Sequence, residues 1–164
     1  MELSEVHAGQ AGNLRWTVTA GAVTDGFATF LTVYGPDNAV LSSTGSVAGE
    51  PSPESPLEVS WSRADGTPLF VIARTVPDVE RVVAVTTGDE QIELSLSPVV
   101  APFRARFGVA ALPSGCSLTR TIALPQNTVV RERWASSRAD LQGESRPHAP
   151  GSAQTCGWHP WPPS

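Results

Sequence analysis

The chain has 164 residues, a formal net charge of −5 and a pI near 5.1, with 11 basic and 16 acidic side chains and three histidines. That length buries enough surface for one core without covalent staples, and the acidic balance excludes the positive footprint of a protein that neutralises a run of phosphates, so nucleic acid is not an expected partner. The 14 glycines and 15 prolines accompany abundant Leu and Val, which fits a turn-rich folded domain rather than a disordered chain.

The opening Met1-Glu2-Leu3-Ser4-Glu5-Val6 is acidic and lacks the basic and then apolar regions of a secretory signal. No stretch approaches the roughly 18 apolar residues needed to cross a bilayer. These features predict a soluble, cytoplasmic chain without a membrane partner, whose two cysteines, Cys116 and Cys156, stay thiols. Every basic residue is an arginine, scattered along the chain, a pattern we attribute to base composition rather than to a recognition surface.

Residues 1–11 read as an N-terminal segment. Leu14, Trp16, Val18 and Ala20 then share one face of a first strand, with Arg15, Thr17 and Thr19 on the other. Asp25-Gly26 turns the chain into Phe27–Tyr34, which is apolar on both faces, and Gly35-Pro36-Asp37-Asn38 returns it through Ala39-Val40-Leu41. Residues 44–56 form a crossing loop, because their prolines can neither donate to a ladder nor keep helical geometry.

Leu57, Val59 and Trp61 alternate with Glu58, Ser60 and Ser62, a register with Leu and Val that places Trp61, like Trp16, in the core, and a more uniformly apolar strand runs from Leu69 to Val76. Val82–Val85 and Ile92–Leu96 follow, joined at Gly88-Asp89, where Gly suits a two-residue type II′ hairpin. Phe103, Ala105, Phe107, Val109 and Ala111 form one face of the next strand, with Arg104, Arg106 and Gly108 opposite, and Leu118, Ile122 and Leu124 mark the last.

The pattern therefore predicts an all-β, immunoglobulin- or fibronectin-like antiparallel β-sandwich of seven to nine strands over residues 12–125. A tail over residues 126–164 is predicted to hold a short helix at 129–141 and then to lack fixed structure.

Catalytic chemistry is not encoded in a recognisable form. His7 precedes the first expected strand while His148 and His159 fall in the tail, and there is no Gly-x-Ser-x-Gly, Ser-x-x-Lys or Walker motif. Cys156 and His159 form the one close pair of metal-ligating type, too little for a zinc site, and the acidic turns carry too few carboxylates for calcium. No cofactor, metal or catalytic residue is expected.

Two features stand out. Phe30, Tyr34, Phe70 and Ile72 fall on faces opposite the main core and need a cover, which makes Phe30, Tyr34 and Phe70 candidate binding residues. Arg104 and Arg106, beside Arg120 if the strands are neighbours, form a candidate basic patch. The function they suggest is a non-enzymatic module that binds another protein through a strand edge or the face near Phe30 and Tyr34. The alternative is a small-molecule or carbohydrate-binding module on a sheet face, using Trp side chains and the arginine pair.

Overall fold

The computed structural model describes residues 1–125 and 128–131. Within them the chain is all-β, with β1 (Ser4–Ala11), β2 (Leu14–Val23), β3 (Gly26–Tyr34), β4 (Val40–Ala48), β5 (Leu57–Ser62) and β6 (Leu69–Thr75) followed by β7 (Arg81–Thr86), β8 (Gln91–Glu93), β9 (Ser95–Leu96), β10 (Arg106–Leu112), β11 (Leu118–Leu124) and β12 (Thr128–Arg131). They build three antiparallel four-stranded sheets, in the orders β1-β2-β3-β4, β5-β6-β10-β9 and β12-β11-β7-β8. Among the described residues no helix is long and apolar enough to cross a membrane.

The second sheet is the middle layer, and β6 explains why. All seven of its residues are buried. Leu69, Val71 and Ala73 point to one side, where they meet Val82, Ala84 and Ala123 of the third sheet. Phe70 and Ile72 point to the other, where they meet Trp16, Leu31 and Val33 of the first sheet. A strand covered on both faces reads as a continuous apolar run because period-two alternation separates nothing when both directions lead into a core.

The layers stack in step. His7 of β1 reaches Ser95 of β9, Thr29 of β3 meets Arg74 of β6, and Ser46 of β4 meets Ser60 of β5. The strand Gln91–Leu96 is shared: its first half pairs with β7 in the third sheet and its second half with β10 in the middle one, changing layers at the buried Leu94.

Several elements differ from the expected sandwich, among them residues 44–48, which belong to β4 and pair with β3 where a crossing loop was expected over 44–56. Residues 1–11 are not an appendage, since β1 pairs with β2 from Ser4 to Ala11 through the two-residue turn Gly12-Asn13, where Gly12 has φ +61. Positive φ at the first central position is the type II′ geometry, which glycine adopts at no steric cost. The strand is mostly polar because it lies at an edge, so its apolar signal is weak.

The third sheet also continues beyond residue 125, because β12 pairs with β11. The opening of the helix candidate, Val129–Arg131, is thus strand, and pairing to a formed neighbour outweighs a marginal helical stripe. The remainder of that candidate and the unstructured end expected from Gly143 to Ser164 lie outside the described residues.

Two further hairpin turns share one scheme. At Gly88-Asp89 the hairpin forms as expected, but the loop has three residues, with Asp89 N donating to Thr86 O, Thr86 N donating to Glu90 O, and the left-handed residue being Asp89 at φ +58. Gly35–Ala39 repeats it, with Asn38 at φ +63. A type I turn followed by an Asp or Asn in αL matches strand twist as well as a two-residue turn does.

Phe103 and Arg104 are not on a strand. Ala101–Arg104 forms a turn closed by Arg104 N donating to Ala101 O, with Arg104 at φ +47, and β10 begins only at Arg106. Phe103 instead completes a triangle with Phe27 and Phe107, at ring-centroid separations of 5.3, 5.7 and 5.9 Å. Cys116, expected to be a thiol, is buried and disulfide-bonded.

Because the middle sheet serves both interiors, removing atoms from one interior should unfold all three layers together. Phe107→Ala deletes a fully buried ring from the aromatic triangle and should cost about 3–5 kcal/mol. Urea unfolding followed by circular dichroism and by fluorescence should show one shifted, coincident transition; separate transitions would mean that the first sheet melts by itself.

Candidate functional site

The five residues singled out by sequence do not converge. Phe70 is buried between the first and middle sheets. Phe30 and Tyr34 lie on the outer face of the first sheet, where each is half-buried and has one face of its ring occupied. The Phe30 ring lies on Gly45 of β4, where an added Cβ would come within 2.4 Å of it. Tyr34 lies under the Arg15 guanidinium at 4.1 Å from the ring centroid.

The arginines separate as well. Arg106 Nε donates to Ser97 O at 2.9 Å and Nη1 donates to Val79 O at 2.7 Å, so it ties the β6–β7 connection to the end of β9. Arg104 sits in the turn before it. Arg120 belongs to β11 in the third sheet, while β10 pairs with β6 and β9 in the middle one, so strands adjacent in sequence are in different layers and no three-arginine patch forms.

A shallow depression of about 200 Å³ opens at one end of the first sheet, lined by Gln10, Asn13, Arg15, Gly35, Pro36 and Asn38. Arg15 is held over Tyr34 partly by donating from Nη2 to Asn38 Oδ1 at 3.3 Å. The αL turn of Gly35–Ala39 brings Asn38 to this position.

His7, expected ahead of the scaffold, is part of β1 and half-buried against the edge of Trp16, with ring centroids 5.0 Å apart. Its Nε2 lies 2.9 Å from Ser95 O and 3.2 Å from Ser95 Oγ. A carbonyl only accepts, so Nε2 carries the proton and is not free to act as a base toward the Ser95 hydroxyl. The pair is a clasp between the first and middle sheets. Burial lowers the His7 pKa, with the Ser95 carbonyl opposing. Among the described residues no three His, Cys, Asp or Glu side chains are grouped for a metal.

Arg74 is a buried charge that sequence reading missed, because its strand position reads as one polar residue in an apolar run. It is only 4 % exposed. Register places Glu58 on one side of it and Phe107 on the other. Nη2 is 3.6 Å from Glu58 Oε2, Nη1 donates to Thr29 Oγ1 at 3.4 Å, and the guanidinium lies 5.8 Å from the Phe27 centroid. Desolvation pushes its pKa down while the Glu58 carboxylate pushes it back. Glu58 Oε2 itself has no hydrogen-bond partner, so the pair is held by charge alone.

The open surface is elsewhere. Trp61, expected in the core beside Trp16, is 36 % exposed, because β5 is the edge of the middle sheet and only Leu57 and Val59 reach the interior below it. The edges β4, β5 and β12 stack into one side wall of the molecule. Eight large apolar side chains of the described residues are exposed, and five of them lie on this wall: Val40, Leu41 and Val47 on β4, Trp61 on β5 and Val129 on β12. Strand β4 supplies nine residues, Val40–Ala48, with no charge and no proline. Edge strands usually carry such residues to block pairing.

Two outcomes test these contacts. Glu58→Gln strands the buried Arg74 charge and should destabilise by about 2–3 kcal/mol, whereas adding Arg74→Met should recover most of that loss, both read from urea midpoints. The folded chain holds His7 neutral more strongly than the unfolded chain, whose imidazole titrates near its ordinary 6.5, so stability should fall as pH drops through and below that value. Midpoints between about pH 7.5 and 5.5 should show a slope that His7→Gln reduces. Comparison with known protein families, curated proteins and solved structures finds no match to this chain.

Proposed function

We propose that the chain is a non-enzymatic protein-interaction module that binds through the strand-edge wall rather than through a sheet face. The observation that carries this reading is β4: nine uncharged residues at a sheet edge, three of them exposed and apolar. An edge strand offers a row of unpaired N–H and C=O groups, and an extended segment of a partner can add to the sheet by satisfying them. Exposed Val40 and Val47, at the margin of the outer face that also carries the half-buried Phe30 and Tyr34, then supply side-chain contact.

The architecture supports an immunoglobulin-like reading for part of the chain. Residues 57–131 alone make two facing four-stranded sheets, with the chain passing between them after β6 and again after β10, and the first sheet is then an added third layer. The disulfide at Cys116 favours an oxidising compartment over the cytoplasm.

Selection of displayed random peptides on immobilised protein tests edge capture directly. Extended apolar peptides should be enriched on the wild-type chain and lost on Val47→Lys, a change at a site 69 % exposed that leaves the interior untouched. No enrichment, or equal enrichment on both, would refute it.

A second reading rests on the depression at Arg15, Asn13 and Asn38, which offers a guanidinium and amide groups to a small polar ligand such as a saccharide. Thermal shift across monosaccharides and oligosaccharides separates the two readings, since only a ligand of the folded state raises the midpoint.

A further inference from the structure

We infer that the occupant of the β4 edge is a second copy of this chain, paired antiparallel about a two-fold axis through Thr44. This rests on the edge-binding reading and names its partner.

The argument is the order of residues in β4. A two-fold interface places the same patch of each subunit against itself, so it must be self-complementary. Leu41-Ser42-Ser43-Thr44-Gly45-Ser46-Val47 meets that condition almost residue for residue. Antiparallel pairing centred on Thr44 sets Leu41 opposite Val47, Ser42 opposite Ser46, Ser43 opposite Gly45, and Thr44 opposite itself. Apolar meets apolar at both ends, and hydroxyl or glycine meets hydroxyl in the middle. Slipping the register by one residue puts Leu41 against Ser46 in one direction or Val47 against Ser42 in the other, so either slip sets an apolar side chain against a hydroxyl.

Charge points the same way. A chain of net charge −5 repels its own copy over most of its surface, yet β4 contributes nothing to that charge. Beyond the strand ends the same pairing sets Asp37 near Pro51 and Glu50 near Asn38, so no carboxylate opposes another.

The backbone permits it. The one irregularity in β4 is the step between Ser42 and Val40, where Leu41 is bulged relative to β3. It lies outside the central five residues, Ser42 to Ser46, which keep regular register. Two first sheets joined this way form one eight-stranded sheet. Trp61 and Val129 are exposed on β5 and β12, the edges stacked beside β4, and burying them as well would widen a contact that a single strand pair leaves small.

Sedimentation velocity of the full chain, over a wide concentration range, should show a concentration-dependent dimer, and Val47→Lys should be monomeric throughout with an unchanged circular dichroism spectrum. Register is read by cysteine pairing in the full chain. Under mild oxidation Thr44→Cys should form a covalent dimer, because opposed Cα atoms of an antiparallel pair sit at about 4.5–5.5 Å, within disulfide reach. Ser42→Cys should not, because its symmetry mate lies four residues along the strand, roughly 13 Å away. A monomer at every concentration would overturn the inference while leaving peptide capture by the edge intact. A dimer insensitive to Val47→Lys, or one that Ser42→Cys links as readily as Thr44→Cys, would overturn it too.

Discussion

The middle sheet, apolar on both faces, is the constraint on which the molecule is built. Strand β6 has no solvent side, so the chain must supply a cover in each direction, and the two covers are the first sheet and the third. Each cover has one inward and one outward face, which is why β2 alternates cleanly and β6 does not. Hydrophobic burial on two sides of one layer also couples the covers, since the packing of either depends on the side chains of the same strand reaching the other.

Much of this was legible in the residues. The strands β2, β3, β5, β6, β7, β10 and β11 follow from period-two runs and turn signals, and the double-sided apolarity of Leu69 to Val76 announced that something covered both faces. The identity of the cover was hidden for a physical reason. The strand Ser4–Ala11 is an edge with a polar sequence, and Val40–Ala48 is rich in serine and glycine, so both lack the apolar alternation that marks a half-buried strand. The Gly12-Asn13 dipeptide was the available clue to the first hairpin.

The site was less legible than the fold. Phe30 and Tyr34 were found as surplus aromatic residues, but what covers them is a cross-strand glycine in one case and a guanidinium in the other, and neither pairing is knowable before register is. Arg106 looked like surface charge and is a bridge between carbonyls. Arg74 went unnoticed, though a lone arginine within an apolar strand is itself a signal: a charge buried between layers must bring its own partner, here Glu58 on the adjacent strand. Trp61 shows the reverse error, because alternation reports which face a residue takes and not whether its strand is central or terminal.

The six-residue stretch Gln91–Leu96 belongs to two layers at once, pairing first with β7 and then with β10. Lengthening it by a single amino acid would leave one layer in place and invert the sidedness of the other, sending Leu94 or Leu96 toward water. Its length is therefore the least negotiable dimension of the molecule, and homologous chains, however far their composition drifts, should preserve the spacing between those two leucines more strictly than the leucines themselves.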